Sequence, residues 1–196
     1  SSLVHQGVER MKGLKANFWR APTDNDNGFS GMGYKWDRMG LSRLLCRNEL
    51  LEGKQTENGA EVLISGVYGQ KTTPPLFRVT QTYRISGSGA IELNIAYEPM
   101  KEINEYLPRL GIAMGVAGGF ERLIWQGRGP FESYPDKKTA ALKGRWACSG
   151  GDTHEPYVRP QENGAHADTR AFAVTDSLGM GIMVISEKAL GDGLSF

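Results

Sequence analysis

The densest run of oxygen-bearing side chains is Thr23-Asp24-Asn25-Asp26-Asn27, followed by Gly28. Carboxylates and amides at alternate positions are how calcium loops gather their ligands, so calcium is the first chemistry to test. The spacing fails that test. Counted from Asp24, the position that needs glycine holds Phe29 and the closing glutamate position holds Lys35. Counted from Thr23, Gly28 falls correctly, but the first and last ligands become Thr23 and Tyr34. What these residue types do support is a turn, in which short Asp and Asn side chains bond nearby backbone N–H groups. The continuation "GFSGMGYKWD" sets Gly28, Gly31 and Gly33 among Phe29, Tyr34 and Trp36, read here as exposed. Glycines at that spacing let a loop change its dihedrals at low cost, which suits a mobile lid. The same glycines lack a following Lys-Ser/Thr and a preceding apolar strand, so they make no phosphate cradle.

Other chemistries find less support. His5, His154 and His166 have too few partners at metal-ligand spacing and are expected at the surface or in hydrogen bonds. Cys46 and Cys148 stand in no CxxC or Cys/His pattern; they are expected to be buried thiols, with a disulfide as the alternative. No GxSxG elbow is present. Glu132, Asp136, Asp152, Glu155 and Glu162 crowd one irregular stretch. Glycosidic cleavage with retention needs two carboxylates about 5 Å apart, and acidic residues in such a stretch are more often solvated or capping.

The elements that would position these groups are mostly strands. "LFRVTQTYRI" alternates Phe77, Val79, Tyr83 and Ile85 with polar residues, "SGSG" turns the chain, and "AIELNIAYE" resumes with Ile91, Leu93, Ile95 and Tyr97. That is a hairpin with one face on a core. Asn58-Gly59 predicts a second hairpin between "LSRLLCRNELLEGKQ" and "GAEVLISGVYG", although "SRLLCRNELLE" also fits an amphipathic helix. "RLGIAMGV", "ERLIWQG", "RAFAVTD" and "MGIMVIS" read as further strands, the last apolar on both faces and therefore expected at the centre of a sheet. Residues 17–40 and 127–166 are expected to be irregular, with "DKKTAAL" as a short helix in the second. The 26 Gly and 9 Pro agree with many short strands and turns.

Four longer motifs carry a resemblance. "NFWRAPTDNDNG" (17–28), "TYRISGSGAIELN" (82–94), "WQGRGPFESYPDKKTAA" (125–141) and "PYVRPQENGAHADTR" (156–170) occur in the order and approximate spacing of the C-terminal domain of large bacterial β-galactosidases of glycoside hydrolase family 2. The chain resembles that domain, the small chain or domain 5, over nearly all of residues 17–186. The resemblance implies an all-β fold, a β-supersandwich like that of galactose mutarotase, formed by residues 1–196 as a single partial domain truncated at its C-terminus. It implies that the catalytic glutamates and the magnesium and sodium ligands lie on preceding domains, so no catalytic residue, metal or cofactor is expected in this chain. It further implies a cleft wall with a mobile loop: Gly28, Phe29, Ser30, Gly31, Met32, Gly33, Tyr34, Lys35, Trp36 and Asp37, anchored by Arg20, Asp24, Asn25 and Asp26. A tryptophan that stacks on sugar in the family belongs to a later segment, so Trp19, Trp36, Trp125 and Trp146 do not inherit its role.

The expected function is therefore that of a non-catalytic part of an enzyme hydrolysing terminal β-D-galactosides, lactose-like, with retention. Its expected partners are the galactoside through the parent enzyme, other domains of the same polypeptide, and further copies in a homo-oligomer. A stand-alone carbohydrate-binding sandwich and an aldose 1-epimerase-like enzyme are the alternatives. With 23 Lys plus Arg against 22 Asp plus Glu, no nucleic-acid partner is expected. No apolar run reaches the roughly 18 residues a bilayer needs, so no membrane partner is expected either. A soluble, cytoplasmic protein is the expectation, periplasmic if the parent carries a signal peptide.

Overall fold

The computed structural model describes residues 2–28 and 31–190. In chain order the strands are β1 (Ser2–His5), β2 (Val8–Asn17), β3 (Leu45–Thr56), β4 (Gly59–Gly69), β5 (Phe77–Ser86), β6 (Ile91–Pro99), β7 (Gly111–Val116), β8 (Arg122–Gly129), β9 (Leu142–Ser149), β10 (Thr169–Thr175) and β11 (Gly181–Leu190). Two short helices, α1 (Asp24–Asn27) and α2 (Met32–Met39), lie between β2 and β3. Among the described residues, strands and bridges take up 52% and helices 10%, and the strands form antiparallel sheets, which places the protein in the all-β class. Among the described residues, no helix is long and apolar enough to cross a membrane.

The chain divides into two compact units, one formed by Ser1–Ser30 with Arg109–Phe196 and the other by Gly31–Pro108. In the first unit, β1-β2-β7 make a three-stranded sheet and β11-β10-β8-β9 a four-stranded one. The β1–β2 hairpin turns at Gln6-Gly7, both with positive φ (52° and 75°), the pair of left-handed residues that a tight two-residue reversal requires. Leu123, Trp125 and Phe172 form the buried centre of the four-stranded sheet, and Met114 of β7 packs on it together with Trp146, Cys148, Val174 and Val184. Two antiparallel sheets thus share one apolar core, as in a sandwich. Trp146 lies so close over its neighbours that a Cβ on Gly129 would come within 2.7 Å of its ring and one on Gly144 within 3.1 Å.

The second unit is built on the meander β3-β4-β5-β6. The expected β5–β6 hairpin forms, with Phe77 opposite Pro99 through Ile85 opposite Ile91. Phe77 and Val79 are buried while the alternate positions are more open. β3 pairs with β4 from Leu45–Gly69 to Thr56–Gly59, so the strand reading of "LLCRNELLE" holds and the helical one does not. Gly59 is needed here because a Cβ would sit 1.9 Å from the carbonyl oxygen of Ile85.

The structure corrects several local expectations. Residues 32–39, expected to be irregular, are helical. "DKKTAAL" forms no helix, and the strand β9 runs through the second region expected to be irregular. In β9, Gly144, Trp146 and Cys148 face inward and Arg145 and Ala147 outward; two of the inward residues are small or weakly apolar, which blurs the alternation. β11 is an edge strand rather than a central one, with Met183 and Ile185 exposed on its outer face. Both cysteines are free, and Cys46, on the exposed strand β3, is not the buried thiol expected. His166, expected at the surface or in hydrogen bonds, is not at the surface: it is buried against Trp125 with ring centroids 4.2 Å apart and interacts with the backbone of Arg128 and Phe131.

Candidate functional site

The run Thr23 to Gly28 folds as a single capped turn of helix. Thr23 is extended (φ −84°, ψ 172°) and its hydroxyl accepts from the backbone N–H of Asp26, while the Asp26 carboxylate accepts from the Thr23 backbone N–H at 2.7 Å and from the Thr23 hydroxyl at 2.8 Å. This is a reciprocal capping box with aspartate in the usual glutamate place. The same carboxylate receives two nitrogens of Arg20, at 2.6 and 3.4 Å. Burial alone would push the Asp26 carboxyl up, but Arg20 and Thr23 outweigh it and hold it below the ordinary aspartate value. Asp26 is therefore committed to local donors. Among the described residues, no three His, Cys, Asp or Glu side chains gather into a metal-binding group. Gly28 closes the turn by donating its N–H to the carbonyl of Asp24 at 2.8 Å. A Cβ on Gly28 would come within 2.9 Å of that same carbonyl oxygen.

The turn is held from outside by one strip of chain. The backbone N–H of Ala21 donates to Glu162 at 3.2 Å and that of Asp24 donates to the side-chain oxygen of Gln161, also at 3.2 Å. Arg159 stands 3.9 Å from the Asp24 carboxylate, an exposed pair of small energetic weight. Glu162 in turn binds Arg109 at 2.5 Å, with both side chains largely covered. Gln161 and Arg109 were not singled out from the sequence. Glu162 stood there only as one of five acidic candidates for glycosidic cleavage, and in the structure it is a docking group.

Behind that strip lies Glu132, the most enclosed of those five acidic side chains. Its carboxylate accepts from Lys137 at 2.6 Å, from the hydroxyl of Tyr157, and from the backbone N–H of Gly164 at 3.0 Å. Burial raises its pKa and the three donors lower it, with the donors prevailing. Lys137 is shifted upward by its bond to Glu132, which keeps the ammonium charged. Close by, the Ser133 N–H donates to the Ala165 carbonyl at 2.6 Å and the Ala167 N–H to the Ser133 hydroxyl at 2.9 Å. Burial pushes the His166 pKa down, against the opposing pull of the Arg128 and Phe131 backbone and the Glu132 charge, which favours the neutral imidazole. Asp168 binds Arg128 at 2.6 Å and Lys138 at 3.2 Å. Asp152 caps the turn that starts at Ser149. Glu132, Glu162 and Asp152 are thus all engaged by neighbouring donors.

The remaining residues of the expected loop belong to the second unit, except that Phe29 and Ser30 lie outside the described residues. Met32, Gly33, Tyr34, Lys35, Trp36 and Asp37 are helical, with Gly31 and Gly40 in left-handed conformation at the two ends of α2. Trp36, read as exposed, is buried and donates its indole N–H to the carbonyl of Tyr106 at 2.8 Å. Lys35 pairs with Glu105 at 2.9 Å and Asp37 with Arg43 at 2.8 Å. Tyr34 remains exposed, as read.

Residues 1–193 match the family described as Beta galactosidase small chain. Among curated proteins, the beta-galactosidase of Staphylococcus xylosus is 28% identical over 177 residues, which cover 90% of this chain and 17% of that protein. That of Vibrio cholerae is 31% identical, covering 82% of this chain and 16% of its own length. One from Enterobacter cloacae is 32% identical, covering 86% and 17%. The chain therefore spans 16 to 17% of the length of these relatives.

Proposed function

The chain belongs to the β-galactosidase small-chain family, and we propose that it serves a larger enzyme hydrolysing terminal β-D-galactosides with retention, as a non-catalytic wall of its cleft. The observation that carries this reading is the family match over residues 1–193, set beside relatives of which the matched part covers only 16 to 17%. The engagement of Glu132, Glu162 and Asp152 by nearby donors supports placing the acid and the nucleophile outside this chain. Magnesium and sodium would be held by other domains of the parent enzyme, which would assemble as a homo-oligomer.

Within this reading, Arg20, Asp24, Asn25 and Asp26 form the anchored root of a cleft loop, and Gly28 is the hinge beyond it. The support is local. The root is fixed by the capping box, the Arg20 pair and the Gln161–Glu162 strip, while Gly28 has no room for a Cβ against the Asp24 carbonyl.

The isolated chain, purified, is expected to show no hydrolysis of a chromogenic β-galactoside, whereas the full-length protein hydrolyses it and releases the β-anomer first by NMR. Turnover by the isolated chain would overturn the non-catalytic assignment. In the full-length protein, Gly28→Ala is expected to shift KM and kcat together, because the added carbon reweights the root and hinge by about 1 kcal/mol or more. Steady-state kinetics identical to the parent's would remove the hinge role.

A further inference from the structure

We infer that Glu132 is a positioning residue for the loop root, acting through the strip 155–164. The inference rests on the cleft reading only for its catalytic consequence; the mechanical part stands on geometry. Glu132 is buried, and its carboxylate grips that strip at both ends, through the Tyr157 hydroxyl and the backbone N–H of Gly164. Between these two grips lie Arg159, Gln161 and Glu162, the residues that reach Asp24 and Ala21.

The strip has little other support within itself. Its internal bonds run from the Glu155 N–H to the Asn163 side chain at 3.2 Å, from the Tyr157 N–H to the Glu155 carbonyl at 2.9 Å, and from the Asn163 and Gln161 side-chain amides to the Gln161 and Arg159 carbonyls at 3.0 and 3.5 Å. It contains no strand, and Val158 and Arg159 at its apex are exposed. Apart from the Arg109–Glu162 pair, a segment of this kind takes its position from its end points. One end point is fixed by a second constraint, because Gly164 has φ +78° and a Cβ there would come within 2.7 Å of the Thr153 carbonyl. Lys137 balances the carboxylate charge and itself donates to Tyr157 at 2.8 Å, so the three side chains close a ring of bonds. Glu132 therefore connects the "FESYPDK" turn to the strip, and the strip connects to Arg20–Asn27. Each carboxylate of this path acts by holding the next.

The test is hydrogen–deuterium exchange on the full-length protein, with Glu132→Gln as the main variant. Tyr157→Phe is the second, removing one grip at a more open site, in case the first fails to fold. The expected result is faster exchange in peptides covering residues 20–28, on the order of tenfold for Glu132→Gln, with peptides from the β5–β6 hairpin unchanged. Unchanged exchange at 20–28 in a folded variant would overturn the proposal, and so would an equal rise in both regions, which is what a purely structural role predicts. Galactoside kinetics on the same variants then separate the two readings. A raised KM with a smaller change in kcat supports a root that orders the binding side of the cleft. Faster exchange at 20–28 with unchanged KM and kcat leaves the positioning role standing and overturns the placement of the root beside the cleft.

Discussion

Asp26 and Glu132 are carboxylates of similar function in different sequence settings. Asp26 collects Thr23 and Arg20, both within six residues, and its turn was legible because these partners are local. Glu132 collects Lys137, Tyr157 and Gly164, and the last two are 25 and 32 residues away; no spacing rule could bring them together in a stretch without periodicity. Removing the Asp26 charge with Asp26→Asn is expected to cost about 1 to 3 kcal/mol locally, the range for hydrogen bonds to a charged group. Faster amide exchange confined to the α1 turn would report it. Both carboxyls have folded pKa values below their unfolded ones. Their stabilisation is therefore complete above the unfolded values, near pH 4, and is lost as pH falls through the lower folded values. In acid, melting temperature is expected to fall as pH drops below about 4, and Glu132→Gln is expected to flatten that slope. An identical slope in the variant would show that Glu132 contributes none of it.

At the scale of elements, the hairpins were readable and α2 was not. β5 and β6 alternate apolar and polar residues across a sheet with one covered face, and that period survives in the sequence alone. In "GMGYKWDRMG" the glycines read as freedom of the backbone. Two of them in fact end the helix: Gly31 (φ +59°) and Gly40 (φ +69°) take the left-handed conformation that caps require. The information that makes the segment helical is tertiary, namely the burial of Trp36 and its bond to Tyr106. β11 failed for the converse reason, since an apolar strand reads the same at an edge as at a centre. At Gly40 a Cβ would lie 2.0 Å from the Gln70 amide nitrogen, which donates to the Met39 carbonyl. Gly40→Ala is thus expected to destabilise by more than the roughly 1 kcal/mol of a strained left-handed alanine, measured by chemical denaturation; a neutral result would mean that Gln70 moves freely aside.

For the molecule as a whole, several border strands carry exposed apolar side chains. Met183 and Ile185 on β11, and Leu45 and Leu51 on β3, are exposed on strands that border their sheets. Such borders pair with other strands when uncovered. The isolated chain is expected to associate with rising concentration in sedimentation velocity, and Ile185→Lys to weaken that association; a monomer at all concentrations would count against it. The second unit is one continuous stretch, residues 31–108, whereas the first is assembled from both sides of it. β2 pairs with β7 across that interval, Asn17 opposite Gly111. On the ribosome, the meander β3-β4-β5-β6 emerges whole while β2 still waits for the strand it must pair with. The order of synthesis thus favours the inserted unit as the earlier folder and leaves the apolar centre around Trp125, together with the Glu132 tether, to close after it.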